Sequence, residues 1–276
     1  MTKPITIKHS GHLGDIIHSL PAIKAGCEKY KTTADIFIFI DHTWNFFKEE
    51  TREHNGLISK TNFEMLKPLL NALPFINSVQ EWNGEKIHYD FDTVKYRGKE
   101  IGLPHSNISR WYMYLFPELS CDLSKRVIDL HDLEGYWCEN KNVPCATVHD
   151  SIVVNRTFRN VNPYINYMFL NQYENVCFAG TLQEYEVFIK QVPNARYIHV
   201  DDFLELAIVI GNAKLFIGNQ SFCYSLAEQM KTPRLLECCG DATNVMPQGA
   251  NGYDFYIQHG LEEIVREAIV KEIISN

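Results

Sequence analysis

The chain opens on an alternating run, Ile5-Thr6-Ile7-Lys8, passes through a small-residue loop, His9-Ser10-Gly11-His12-Leu13-Gly14-Asp15, and then sets Ile16, Ile17, Leu20 and Ile23 at helical spacing. Alternation predicts a strand and the three-four spacing an amphipathic helix, so the segment reads as strand, tight turn, helix. The same grammar recurs along the chain. In the first half, residues 5–8, 35–40 and 88–95 read as strands, separated by helical patterns at 16–30 and 63–73. In the second half, residues 151–155, 176–179, 195–199, 215–217 and 234–237 are strand candidates, with helices near 183–191, 203–210, 221–229 and 261–274. Strands alternating with helices imply parallel sheets with right-handed crossovers, the doubly wound α/β class. The stretch 133–145, with Gly135, Asn140, Asn142 and Pro144, has the turn-rich composition of a linker. Two domains are therefore expected, residues 1–140 and 141–276, with a cleft between them as the usual place for a ligand.

Composition narrows the function classes. With 276 residues, 45% hydrophobic and 12% aromatic, the chain can fill a sizeable core and is not a disordered segment. A net charge of −8 gives no basic footprint for a nucleic acid, which is thus a disfavoured partner. The basic cluster Lys95-Tyr96-Arg97-Gly98-Lys99, with Arg110-Trp111 behind it, reads as a solvated loop or as a contact for a phosphate-bearing acceptor. No apolar run approaches the roughly 20 residues of a membrane span, and no signal-peptide pattern opens the chain. Eight cysteines lie scattered without C-x-x-C, which fits reduced thiols and a cytoplasmic location.

The loop between the first strand and helix carries the first candidate chemistry. An open α/β sheet binds ligands beyond the carboxyl ends of its strands, where helix N-termini present free N–H groups. Asp15 stands at that edge, either as a first-turn carboxylate favoured by the helix dipole or as a functional acid. Gly11 and Gly14 do not make G-x-G-x-x-G, and no G-K-[ST] follows. A second junction of the same kind runs from Leu215-Phe216-Ile217 into Gly218-Asn219-Gln220-Ser221, where Ser221 is equally suited to capping a helix and to holding phosphate oxygens.

The Leu13-Gly14-Asp15 turn followed by Ile16-Ile17-His18-Ser19-Leu20-Pro21-Ala22, paired with Phe216-Ile217-Gly218-Asn219-Gln220-Ser221 through Ser225-Leu226-Ala227 to Thr232-Pro233, resembles the bacterial ADP-heptose heptosyltransferase family. Between them, residues 152–159 resemble the strand and phosphate-facing loop that open that family's donor domain, and Cys177-Phe178-Ala179-Gly180 with Glu184 and Glu186 resembles its next strand and acidic helix start. The resemblance implies a GT-B fold, two Rossmann-like doubly wound domains facing a central cleft. It further implies an N-terminal acceptor domain, a C-terminal nucleotide-sugar domain and Asp15 as general base. His9, His12 and Gly14 would form the acceptor loop. Asn155, Arg156, Arg159, Gly180, Glu184, Glu186, Gly218, Asn219, Gln220 and Ser221 would bind the donor. Gln220, Phe222 and Ser225 stand where that family usually has Asp, Gly and His.

The expected activity is an inverting, metal-independent glycosyl transfer from a nucleotide-sugar, a co-substrate rather than a cofactor, to a hydroxyl of a glycan or, less favoured, of a hydroxylated DNA base. A base must reach the acceptor hydroxyl and positive potential must meet the departing diphosphate. A non-catalytic nucleotide or sugar-phosphate binding protein is the alternative. Asp90-Phe91-Asp92 has the D-x-D form of metal-dependent transferases, but its alternating surroundings predict a solvated strand face. His9 and His12 lack a third ligand for a metal. No G-x-S-x-G elbow occurs, and Cys177, Cys223 and Cys238 sit in apolar patterns typical of buried thiols. The run from Trp111 to Phe116 reads as core, or as an aromatic platform for an acceptor.

Overall fold

The computed structural model describes residues 3–40, 58–92, 107–119, 137, 148–240 and 244–270. The chain packs as two compact units, Met1–Leu130 with Asp202–Leu204, and His131–Asp201 with Glu205–Asn276. The expected boundary at 140, the basic cluster at 95–99 and most of the 133–145 stretch lie outside the described residues.

In the first unit the order is β1 (Ile5–His9), α1 (Leu13–Tyr30), β2 (Ala34–Ile38), α2 (Lys60–Asn71), β3 (Ile76–Glu81), β4 (Tyr89–Phe91) and α3 (Ile108–Leu115). The strands form one parallel sheet in the order β3-β2-β1-β4, with Ile7 opposite both Ile36 and Tyr89. Helix α1 buries Ile16, Ile17, Leu20 and Ile23 almost completely, as their spacing predicts, and it stops where Lys31 turns left-handed at φ 51°. That conformation is uncommon outside glycine and marks the end of the helix.

The second unit runs β5 (Ile152–Asn155), a short 3-10 turn (Met168–Gln172), β6 (Val176–Ala179), α4 (Leu182–Phe188), β7 (Arg196–Ile198), α5 (Phe203–Gly211), β8 (Leu215–Asn219), α6 (Phe222–Met230), β9 (Arg234–Glu237), β10 (Gly252–Phe255) and α7 (Gln258–Val270). Its parallel sheet has the order β7-β6-β5-β8-β9-β10, the 3-2-1-4-5-6 arrangement of a dinucleotide-type fold. Strands β5, β6, β8 and β9 are buried at every residue, which requires cover on both faces and explains their unbroken apolar runs. Val154, Phe178, Leu215, Ile217 and Leu235 form the middle of this core.

A charge cluster around Arg234 lies inside the second unit. Arg234 is fully buried, with Nε donating to Glu228 Oε2 at 2.6 Å, Nη1 to the carbonyls of Thr232 and Ala250, and Nη2 to that of Gln248 at 2.6 Å. Lys231 Nζ donates to the other oxygen of Glu228 at 2.6 Å. The guanidinium thereby ties the end of α6 to the loop before β10. Such a group is tolerable inside only when its donors are matched, as several are here.

Two strands were not expected from the sequence, β3 and β10, and each is the last strand at one side of its sheet. Both carry polar and half-exposed residues, Ile-Asn-Ser-Val-Gln-Glu and Gly-Tyr-Asp-Phe, because an outermost strand is covered less than a central one. Asp90 also departs from the expected solvated face. It pairs with Lys8 Nζ at 3.3 Å, and that cation sits 4.6 Å from the Trp82 ring, while Asp92 is buried. The register sets Lys8 directly opposite Asp90, so burial of β1 carries the carboxylate in with it.

Candidate functional site

Both sheets reverse their strand order once, and ligands of open α/β sheets bind at that reversal, outside the carboxyl ends of the strands. In the first unit the reversal lies between β1 and β4; in the second it lies between β5 and β8. The two junctions singled out from the sequence, after β1 and after β8, occupy these positions.

In the first unit, β1 ends on His9 and α1 begins at Leu13 with His12 as its N-cap. Asp15 is the third residue of the helix and only 4% exposed, and its Oδ2 accepts the His12 backbone N–H at 3.0 Å. The carboxylate thus lies against the positive end of α1. Gly11 has no room for a side chain: a Cβ there would stand 2.8 Å from Asp15 Cβ and 2.9 Å from Asp15 Oδ2. His9 is fully buried, and its Nδ1 accepts the Gly11 N–H at 3.1 Å. Burial lowers its pKa from 6.5 to about 4, against the pull of Asp15 and Asp92. The ring is therefore neutral at physiological pH and is a structural part of the loop. His12 and Gly14 are half-buried beside it.

In the second unit, Asn155 joins three strand ends. Its Nδ2 donates to the Ala179 carbonyl after β6, and its Oδ1 accepts the Ser221 hydroxyl after β8, both at 2.8 Å. Ser221 also accepts the Tyr224 N–H at 3.2 Å, so its hydroxyl serves both the α6 cap and the Asn155 junction. Asn219, buried in β8, accepts the Thr157 N–H and donates to the carbonyls of Thr157 and Arg159, which pins the loop after β5. Gln220 donates to Asn244 at 2.9 Å, while its buried Oε1 has no partner among the described residues. Gly218 lies within β8, and Gly180 precedes the Thr181 cap of α4. A Cβ on Gly180 would stand 2.8 Å from Asn155 Nδ2 and 2.9 Å from Glu184 Oε2, so only glycine lets these strand ends close up.

Beside this edge lies a cavity of about 340 Å³ between the loop after β5 and α4. Phe158, Val161, Val187 and Phe188 give it apolar walls, and Arg156, Glu184 and Gln191 add polar groups. Phe158 is 61% exposed, an open aromatic face at the rim. The volume is at the small end of ligand pockets, enough for a nucleoside-sized group. Glu184 reaches it from the first turn of α4, where its Oε2 also accepts the Thr181 N–H at 2.9 Å.

The structure therefore brings Asn155, Gly180, Glu184, Gly218, Asn219, Gln220 and Ser221 to one sheet edge. Glu186 is exposed and does not line the cavity, and Arg159 is exposed on the loop. Arg156 departs from the expected role of a diphosphate contact. Its Nε and Nη2 grip both oxygens of the fully buried Glu237 at 2.9 and 3.0 Å, and Nη2 also reaches the carbonyls of Asn162 and Ile165. Tyr167 donates its hydroxyl to the same carboxylate at 2.8 Å. The pair is close to neutral, which removes most of the pull that Arg156 would exert on an anion.

Glu237, Asn162 and Phe158 were missed as site residues. A signal existed for Glu237: it closes an apolar strand as Arg156 follows another, and the register sets Glu237 beside Asn219. Among the described residues no group of three or more His, Cys, Asp or Glu could hold a metal ion, and no helix is long and apolar enough to cross a membrane. Cys177, Cys223 and Cys238 are buried, and burial pushes the Cys223 thiol far up and Cys238 to about 11. Neither is a ready nucleophile.

No protein-family model matches the chain, and no curated protein sequence matches it. Solved structures do. The chain is similar to E. coli heptosyltransferase WaaC with ADP, at a TM-score of 0.62 and 10% identity, over 99% of this chain and 100% of that one. It is similar to E. coli ADP-heptose lps heptosyltransferase II, at 0.58 and 12%, over 98% and 99%. A third is the iron-containing dodecameric glycosyltransferase TibC from enterotoxigenic E. coli, at 0.53 and 14%, over 94% of this chain and 63% of that one. At such identities the likeness speaks for architecture alone. The chain has the GT-B fold of the heptosyltransferases.

Proposed function

We propose that this protein is a glycosyltransferase that moves a sugar from a nucleotide-sugar donor to an acceptor hydroxyl, inverting the anomeric centre without a metal. One observation carries the reading: each sheet places one of the two sequence-marked junctions at its own strand-order reversal, where this class of sheet binds ligands. Asp15, held at the N-terminus of α1, is the base that takes the acceptor proton. The acceptor is a glycan hydroxyl, since the −8 charge opposes a nucleic acid.

The second unit holds the donor. Glu184 accepts from the ribose hydroxyls, the apolar cavity beside it takes the base, and Phe158 offers a face for stacking. The diphosphate lies along the loop at Gly180 and the cap of α6, met by backbone N–H groups, the helix dipole and Arg159. Gln220, an amide where the family has a carboxylate, contacts the sugar and changes which sugar is accepted.

A non-catalytic binding role draws support from Arg156, whose charge is matched by Glu237. A thermal-shift and turnover screen with ADP-heptose, UDP-glucose and GDP-mannose separates the readings. A bound donor at 100 times its Kd adds about 2.7 kcal/mol of stability. The transferase reading expects stabilisation together with release of the nucleoside diphosphate that persists in EDTA. Stabilisation without turnover leaves the binding role, and loss of turnover on chelation restored by Mg²⁺ or Fe²⁺ overturns the metal-independent mechanism.

A further inference from the structure

Helix α3 meets the β1–α1 segment at two points in sequence, one on each side of Asp15. Ser109 and Tyr112, three residues apart and therefore neighbours on one helix face, reach two histidines. Ser109 Oγ lies 3.1 Å from His18 Nδ1, and Tyr112 Oη lies 3.1 Å from His9 Nε2. All four residues are fully buried.

The tautomer of His9 follows from its neighbours. Nδ1 accepts the Gly11 N–H, so the ring proton sits on Nε2 and is donated to the Tyr112 hydroxyl. Gly11 lies between the His9 ring and the Asp15 side chain, close enough that a Cβ there would stand 3.0 Å from His9 Cε1 and 2.8 Å from Asp15 Cβ. Rotation of the His9 ring would withdraw the acceptor of the Gly11 N–H, and Gly11 packs directly beside Asp15.

We propose that the run Tyr112–His9–Gly11 is a positioning device for the Asp15 carboxylate, with Tyr112 and His9 acting through the loop and touching no substrate. The inference rests on the reading of Asp15 as base. The groups facing His9 are Asp15 from α1, Asp90 and Asp92 from β4 and the residue after it, and Tyr112 from α3. The aspartates favour a charged ring, yet a proton on Nδ1 would point at the Gly11 N–H, donor against donor. Burial wins, and the ring stays neutral to about pH 4. At neutral pH the lock therefore does not titrate.

The test uses Tyr112→Phe, which removes one hydroxyl, and His9→Asn, whose Oδ1 keeps an acceptor for the Gly11 N–H. Two readouts are taken on the full chain: ¹³C-carboxyl NMR titration of Asp15, which needs no ligand, and nucleoside diphosphate release from whichever of ADP-heptose, UDP-glucose and GDP-mannose turns over, with kcat and KM separated. Tyr112→Phe should raise the Asp15 midpoint, because the carboxylate loses part of its His12 N–H contact. It should lower kcat by up to about 10²-fold, the scale of a small misplacement, with donor KM unchanged. His9→Asn should do less than His9→Ala. If both variants fold and keep the wild-type Asp15 midpoint and kcat, the positioning role is overturned while the base reading stands. If Asp15→Asn itself releases nucleoside diphosphate at the wild-type rate, the base reading fails first and takes this inference with it.

Discussion

Asp15 and Glu184 hold the same local address, the third residue of a helix that follows a parallel strand, each accepting the backbone N–H of its own cap residue. Their surroundings differ. Asp15 is 4% exposed and walled in by Gly11 and a neutral histidine, whereas Glu184 is half-exposed at the rim of a cavity lined by Phe158 and Val187. Capping explains why each acid is present; burial decides what it can do next. A carboxylate fixed in a tight, partly dehydrated loop suits proton abstraction, and one at an open rim suits hydrogen bonds to a ligand.

Neutralising each acid should separate their roles, with the larger effect at Asp15. Asp15→Asn keeps an acceptor for the His12 N–H and should cost about 10²- to 10⁴-fold in transfer, the usual worth of a positioned base, with donor affinity unchanged by calorimetry. Transfer at the wild-type rate would end its assignment.

The next largest effect concerns what stands behind the strand ends of the second unit. Glu237→Ala strands Arg156, the Tyr167 hydroxyl and the Asn162 N–H, so stability should fall by about 3–5 kcal/mol in urea melts, the cost of breaking a buried pair. A loss below 1 kcal/mol would return Arg156 to the list of available phosphate contacts.

The first junction should also sense acid. His9 has a folded pKa near 4 against 6.5, so the unfolded chain binds a proton that the folded chain does not between those values. Stability is fully present above pH 6.5 and declines as pH falls toward 4, by about 3 kcal/mol in all. His9→Asn should flatten that part of the curve; an unchanged slope would assign it to other groups. The smallest effect is at the rim. Glu184→Gln preserves the cap yet should weaken nucleoside diphosphate binding by about 1.5 kcal/mol, roughly tenfold, if a charged hydrogen bond is lost. Equal affinity would remove Glu184 from the donor site.

Much of this architecture can be read from the chain because central parallel strands, buried on both sides, leave runs such as Ile152-Val153-Val154 that few other elements produce. The outermost strands lack that constraint: β3 and β10, with their polar, half-exposed residues, went unseen, whereas β4 and β7 at the opposite edges fell within strand candidates. The strand-end loops were legible for a different reason: Gly11 and Gly180 are forced by close approach of a side chain, and Ser221 by its cap. What local pattern does not encode is partnership at a distance. Arg156 and Glu237 are 81 residues apart, and only the register of β5, β8 and β9 brings them to one level. An arginine in a phosphate-type loop looks the same whether its partner is a ligand or a buried glutamate.

The enclosed Arg234 has a consequence for how the molecule tolerates being cut. Its donors are answered by Glu228 on α6 and by carbonyls at 232, 248 and 250. A chain ending before residue 248 would leave two of those carbonyls behind and expose the guanidinium to an interior with no replacement acceptors. Shortening from the carboxyl end should already cost stability when it removes Leu261, Val265 and Phe255 from the core, and should cost most abruptly once it takes the carbonyls that answer this guanidinium. The last strand is held by a charge it does not own.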